Sequence, residues 1–499
     1  PSFFIQILFM RLPIERKNVK VLPDVKRVIA RYFFNGEDRA KEVIKKVMAL
    51  RDERVFAIIS PLLQEYSKRH RNITKILLRN GQKLAELMKT MDIDFEAIDL
   101  PKKLLLGSYF THEYSIESAA FFNPSIVEDP DQSDLEDGER RLIISFRAVG
   151  EGHISSIVFR RALIDRNNDI TVLPAGNYIV EAEVINNAIY NKKHFIDKGI
   201  AALISEDILA ELDERLGDHF EYQTLKDAIS KLQEEDPDPE RDKEFEKVLW
   251  LSDSYYEIIF SMDTDISDRV IFPISEFEKK GIEDARFTKF QNDDGTYTYY
   301  ATYTAFDGNI IIPKLLKTND FYDFNVGPLF GASVLNKNLA LFPRKINGKY
   351  AMLSRIDGIN NYIMFSDKIN VWETATKIQE PKYSWEFVQV GNCGPPIETS
   401  EGWLVITHAV GPMRRYCLSA CLLSFDDPSI EIGRLDSPLL VPNMDEREGY
   451  VPNVVYSCGS IINNGQVIIP YGLSDYSSSF VAVDLDKLLA RLKRNPIYD

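Results

Sequence analysis

GIEDARFTKFQNDDGTYTYYATYTAFD, residues 281–307, outlines a complete β-hairpin. A run opening on Glu283, Asp284 and Arg286 leads into Asp293-Asp294-Gly295, a turn sequence whose glycine supplies the positive φ that tight hairpin loops need. Beyond it, Thr296–Thr304 alternates aromatic and small residues, the period of two expected of a strand. The second strand ends on Asp307. Two acidic groups and an arginine therefore stand at the hairpin's ends, where loops carry chemistry.

The same plan recurs along the chain. Pro124-Ser125-Ile126 runs through an acidic loop to Leu142–Phe146 and ends in Arg147. Pro343-Arg344-Lys345-Ile346 leads to the turn Asn347-Gly348, then Tyr350–Leu353, Arg355 and Asp357. Pro395-Pro396-Ile397 leads to Ser400-Glu401-Gly402, then Trp403–Thr407 and His408. Pro452-Asn453-Val454-Val455 leads to Asn463-Asn464-Gly465, then Val467–Tyr471 and Asp475. The last copies lie about 50 to 60 residues apart, a spacing that fits four-stranded blades around an axis. The expected fold is mainly β, a five-bladed β-propeller. An ordinary β-sandwich is the alternative, but it gives no reason for charged strand ends to repeat. In a propeller Asn123, Arg147, Asp284, Arg286, Asp307, Lys345, Arg355, His408 and Asp475 would share one pocket. Mixed carboxylates and cations there suit a polyhydroxylated ligand with an anion beside it.

Working outward, residues 1–100 differ in kind. Pro23–Phe34, Gly36–Ala49, Asp52–Tyr66 and Asn72–Met91 carry apolar residues at three- and four-residue spacing, which predicts an N-terminal α-helical domain. Its basic stretches read as solvated faces, with contacts in a homo-oligomer as the functional alternative. Residues 101–499 form the β domain, with Ile154–Leu163 and Asn177–Val184 completing its first blade. A helical insertion at about 205–248 interrupts it, and a helix over Asp484–Leu492 closes it.

The net charge of −16 over 499 residues argues against nucleic acid as a partner. Any anion site must be a local cationic pocket. Pro1–Met10 is apolar but too short to span a bilayer, and no other run approaches the roughly 18 apolar residues of a membrane helix. A cytoplasmic protein with no membrane partner is expected. Cys393, Cys417, Cys421 and Cys458 form no C-x-x-C pair and read as buried free thiols of a reducing compartment. With six histidines and no paired His spacing, no metal site and no cofactor are expected.

Gly281-Ile282-Glu283-Asp284-Ala285-Arg286, Ala340–Tyr350, Gly402–His408, Leu422–Pro428 and Asn453–Tyr456 together resemble glycoside hydrolase family 130, the β-mannoside phosphorylases and β-1,2-mannosidases. The likeness covers roughly residues 105–495, and the helical N-terminus lies outside it. The resemblance implies a five-bladed propeller and inverting cleavage of a β-mannosidic bond in an oligosaccharide. It implies Asp284 as general acid, its proton passing through the 3-hydroxyl of the mannosyl unit. It further implies Glu283 and Arg286 as supports for acid and sugar, and Asn123, Arg147, Asp307 and Asp475 as mannosyl ligands. A phosphorylase needs cations around its anionic nucleophile, whereas an inverting hydrolase needs a second carboxylate about 6.5–9.5 Å from the acid. Lys345, Arg355 and His408, with Arg344 and Arg414 nearby, favour phosphorolysis with inorganic phosphate as co-substrate and α-mannose 1-phosphate as product. Hydrolysis is the alternative, and a non-catalytic glycan-binding propeller stays open beside it. An arginine the family leads one to expect after Asp307 is missing, and Lys314 is the nearest substitute.

Overall fold

Strand Gly281–Gln291 pairs antiparallel with Tyr297–Phe306, so the hairpin forms as its turn and alternation predict. The computed structural model describes residues 12–494 except 177, 186–189, 203, 276–277 and 309–310. Pro1–Met10 lies outside the described residues.

The fold is mainly β, arranged as five antiparallel arrays among the described residues. The first joins Ala120–Glu128, Arg140–Val149 and Ser155–Ile164. The second continues the central hairpin through Ile311–Thr318 and Asp323–Pro328 to Tyr256–Ile259. The third runs Ala340–Leu341, Tyr350–Ser354, Asn361–Ser366, Ala375–Gln379. The fourth places Gln389–Asn392 and Ile397–Thr399 on Gly402–Val410, followed by Tyr416–Leu423 and Glu431–Arg434. The fifth places Val455–Tyr456 and Ile461–Asn463 on Gln466–Leu473, followed by Ser477–Asp484. Its outermost strand is Ile14–Val21, from the other end of the chain.

Each array is apolar on both faces, so each must be covered twice. Five clusters do this. Phe159 and Phe287 pack between the first and second arrays. Phe290, Tyr300, Leu341 and Met352 pack between the second and third. Phe342, Ala351, Trp403 and Val405 pack between the third and fourth. Leu404, Leu418, Val467 and Val481 pack between the fourth and fifth, and Phe121, Phe146, Ile468 and Phe480 return from the fifth to the first. The arrays' leading strands are also linked in sequence. Phe287 N donates to Ser125 Oγ at 3.0 Å, Gln291 N to Pro343 O at 2.8 Å, Asn392 Nδ2 to Asn338 O at 2.6 Å, and Cys458 N to Pro124 O at 2.9 Å.

The N-terminal segment departs from its reading. Residues 28–32 were expected within a helix. Instead Val28–Tyr32 is a strand paired with Thr111–Ser115. Its β-branched Val28 and Ile29 suit a pleated surface, and the partner strand overrides a helical spacing that four apolar positions meet by coincidence. Helices Glu37–Met48, Asp52–Tyr66, Ile73–Gln82 and Leu100–Tyr109 follow and enclose Ile44, Leu77, Met88 and Leu105. The first array's edge also differs. Residue 177 lies outside the described residues, and Val180–Glu181 reaches the array only through Arg269–Ile271. The insertion begins earlier than 205, with helices Lys192–Ala201, Glu206–Arg215, Tyr222–Glu235 and Pro239–Ser254. No helix among the described residues is long and apolar enough to cross a membrane. All four cysteines are free and buried.

Glu117, wholly buried, holds this N-terminal segment to the first array. It accepts from Arg27 Nε at 2.7 Å and from Arg160 Nη2 at 2.8 and 2.9 Å. Glu117→Gln leaves two buried guanidiniums without their shared counter-charge. The expected loss is about 3–5 kcal/mol of stability, read as a lowered urea midpoint. An unchanged midpoint would show that the triad is stability-neutral.

Candidate active site

The leading strands are broken at equivalent places by residues of left-handed backbone: Asn123 (φ 49°), Asp284 (φ 54°), Asn338 (φ 69°), Gly394 (φ 116°) and Asn453 (φ 64°). Asn, Asp and Gly enter that region at the least steric expense. At two of them the register shows a bulge. Phe122 and Ser125 oppose Arg147 and Ser145, and Glu283 and Arg286 oppose Thr304 and Thr302, so two residues face one in each case. Such bulges re-aim side chains next to active sites. Here they bring Asn123 and Asp284 together, with Asn123 Nδ2 donating to Asp284 Oδ1 at 2.8 Å. Gly472 makes room, since a Cβ there would sit 3.0 Å from Asn123 N.

Around this pair lies a charge network. Arg147 Nη2 donates to Glu283 Oε1 at 2.7 Å, and its Nη1 lies 3.7 Å from Asp284 Oδ1. Lys337 Nζ holds the other Glu283 oxygen at 2.6 Å. Arg286 donates to the Asp284 carbonyl at 3.1 Å and to the Tyr456 hydroxyl at 2.7 Å. Asn338 Nδ2 also donates to that hydroxyl at 2.7 Å. Burial pushes the Asp284 carboxyl up, but Arg147, Arg286, the Asn123 hydrogen bond and Lys337 together hold it below the usual carboxylate range. Asp475 has left-handed backbone too (φ 52°). Burial and the charge of Asp284 push its carboxyl up to about 6, against the pull of Arg147 and Arg414.

Behind Tyr456, His408 lies with its ring centroid 4.9 Å away. Its Nδ1 is 3.1 Å from Asn392 O, and its Nε2 is 3.1 Å from Arg355 Nη1. Burial and the charges of Arg355 and Arg286 push His408 well below its ordinary value. The ring is therefore neutral, donating from Nδ1 to the carbonyl and accepting at Nε2 from the guanidinium. Among the described residues neither Arg355 nor Arg414 forms a salt bridge to a carboxylate.

Of the residues expected in one pocket, Asn123, Arg147, Glu283, Asp284, Arg286, Arg414 and Asp475 come together, with Arg355 and His408 adjoining. Asp307 follows Phe306, which pairs with Gly281, and so stands at the same end. Arg344 and Lys345 do not reach it. Arg344 bridges to Gln291 and binds Glu398, and Lys345 Nζ binds Asp293 at 2.5 Å. They sit at the turn end of the hairpin, roughly 20 Å along the strand from Asp284. Lys314 is no substitute for a phosphate-binding arginine, because it is wholly buried against Glu278 at 3.0 Å. Lys337, Asn338 and Tyr456 were missed as site residues. The one local signal for the first two was Asn336-Lys337-Asn338, whose asparagines take φ of 64° and 69°.

The profile of the family described as beta-1,4-mannooligosaccharide phosphorylase, glycoside hydrolase family 130, matches residues 251–494. The 1,2-beta-oligomannan phosphorylase of Thermoanaerobacter sp. strain X514 is 39% identical over 212 residues, covering 40% of this chain and 67% of the relative. A beta-1,2-mannobiose phosphorylase of the same organism is 34% identical over 226 residues, covering 42% of this chain and 69% of the relative. The solved beta-1,2-mannobiose phosphorylase of Listeria innocua shares 21% identity at a TM-score of 0.46, covering 77% of this chain and 94% of that one. The chain belongs to glycoside hydrolase family 130.

Proposed function

We propose that this protein cleaves β-mannosidic bonds by phosphorolysis with inversion, in a pocket at one end of a five-bladed β-propeller that spans residues 101–499. Five arrays and five intervening clusters support the architecture. The observation that carries the chemistry is the local excess of cations. Arg147, Arg286, Lys337, Arg355 and Arg414 outnumber Glu283, Asp284, Asp307 and Asp475, within a chain of net charge −16. A hydrolase has no use for such a surplus, whereas phosphate requires it.

In this reading Asn123 and Asp475 hold mannosyl hydroxyls, and phosphate lies toward Arg355 and His408. A neutral His408 accepts from Arg355 at 3.1 Å and so fixes the direction of its guanidinium. Asp284, held ionised by its cations, must carry a proton to act as the acid. Phosphate supplies the remedy, because its negative charge beside His408 also offsets Arg286, one of the cations that hold the Asp284 carboxyl down, and lets that carboxyl rise. The acid is thus loaded when the nucleophile is in place. Phosphate arrives already anionic and needs no base and no cofactor. Asp475 supports the second reading, hydrolysis, since Glu283 is tied to Arg147 and Lys337, and Asp475 is the further carboxyl near Asp284 that would serve as its water-activating base.

Incubation with β-1,2- and β-1,4-mannobiose, with and without inorganic phosphate, separates the two. α-Mannose 1-phosphate appearing only with phosphate is the expected result. Free mannose released equally in both would establish hydrolysis and redirect attention to Asp475. No product from either sugar would leave a glycan-binding role.

A further inference from the structure

Beside this site two exposed rings from different arrays lie tilted against each other. Tyr450, 64% exposed, lies against His153 with ring centroids 5.5 Å apart and planes inclined by 31°. The backbone on either side of Tyr450 is pinned to the residue before Asp475. Val451 N donates to Ser474 O at 3.0 Å, and a Cβ on Gly449 would come within 2.4 Å of the same oxygen. His153, at φ 59°, stands in the loop that follows Arg147's strand. That loop is closed by Gly150 N donating to Ile154 O at 3.1 Å. Both rings are thus fixed near Asp475 and Arg147, yet neither is buried.

Their side of the pocket matters. Inversion requires nucleophile and leaving group on opposite faces of the sugar. Arg355 and His408 come from the third and fourth arrays. Tyr450 and His153 belong with the fifth and first, which the order of packing puts on the far side. We propose that the Tyr450–His153 pair is a binding platform for the sugar next but one on the leaving-group side of the scissile bond. It would thereby select β-mannooligosaccharides of three or more units. This rests on the phosphorolytic reading above for the position of the leaving group. Exposed rings beside a pocket offer apolar faces for the C–H face of a pyranose, and stacking needs no hydrogen-bond register.

The test compares wild type, Tyr450→Ala, Tyr450→Phe and His153→Ala on mannobiose and mannotriose with phosphate, with mannotriose binding measured by calorimetry. The expected result is a fall of at least tenfold in the triose-to-biose ratio of kcat/KM for Tyr450→Ala, carried by KM. A smaller fall is expected for His153→Ala, and the wild-type ratio for Tyr450→Phe. Equal losses on both sugars, or no change in the ratio, would overturn the platform. Calorimetry separates this from failure of the phosphorolytic reading. Mannotriose binding that Tyr450→Ala abolishes, in a wild type without phosphate-dependent turnover, keeps the platform and removes the reaction. Turnover of mannobiose without any gain in affinity for mannotriose removes the platform and keeps the reaction.

Discussion

Asp284→Asn is expected to lower the rate of phosphorolysis by about 10²–10⁴-fold, the contribution of a positioned general acid, without loss of the folded state. Asparagine is chosen because position 284 has φ 54°, a conformation that Asn accepts and most residues do not. Its amide oxygen can still receive the 2.8 Å hydrogen bond from Asn123, and Arg147 keeps its 2.7 Å bond to Glu283. What disappears is the proton. An aryl β-mannoside with an acidic phenol as leaving group needs little protonation, so it should be turned over by the variant with a much smaller deficit. If both substrates lose rate equally, Asp284 positions the sugar and does not donate to it. If mannobiose turnover stays within tenfold of wild type, the acid is elsewhere.

Asp475→Asn should move stability and activity in opposite directions. The Asp475 carboxyl, raised from 3.8 to about 6 by burial and by Asp284, also faces Glu283, Arg147 and Arg414. The folded protein therefore holds this proton more tightly than the unfolded chain does. The resulting stability is complete below about pH 4 and is lost as pH rises through about 6. Two units correspond to roughly 3 kcal/mol at most. Asparagine removes the dependence, so the variant should resist urea better than wild type at pH 7 and gain nothing at pH 4. Its activity should fall, because the carboxylate proposed to accept from a mannosyl hydroxyl is lost. Parallel stability–pH curves for the two proteins would show that Asp475 does not titrate as described. Keeping an uncomfortable carboxylate where the ligand binds is a usual trade of stability for function.

Much of this site was legible because its residues lie where local patterns end. Asp284 and Arg286 open a strand whose turn and alternation are unmistakable, and Asn123 precedes a proline at the matching place. Arg344 and Lys345 were misplaced by a matter of direction. A residue two or three positions before a hairpin turn lies at the turn end, whereas Arg355 and His408, at the close of the second strand, lie at the other. Strand ends alternate between the two rims of the molecule, and charge alone does not say which rim. Lys337 was overlooked because its flanking asparagines mark only a turn, and nothing beside it asks for a cation. Its partner Glu283 is 54 residues away, and only the neighbouring of the second and third arrays brings them together. Val28–Tyr32 was misread for the same reason, since its partner Thr111–Ser115 follows only after all the intervening helices.

The pairing of Ile14–Val21 with Ser477–Asp484 has a consequence in time. Val19 and its partner Ser479 are 460 residues apart, so at ordinary synthesis rates the first strand waits about 20 to 90 s for the last to be made. Throughout that interval it is an unclaimed edge, the kind of surface on which nascent chains adhere to one another. Its sequence, IERKNVKV, carries Arg16, Lys17 and Lys20, and such charges deter pairing with another chain. When the fifth array is finally complete, Arg16 turns to Glu446 at 2.8 Å and Lys17 comes within 3.6 Å of Asp169. The same side chains serve first as a guard on the growing polypeptide and afterwards as the clasp of the finished one.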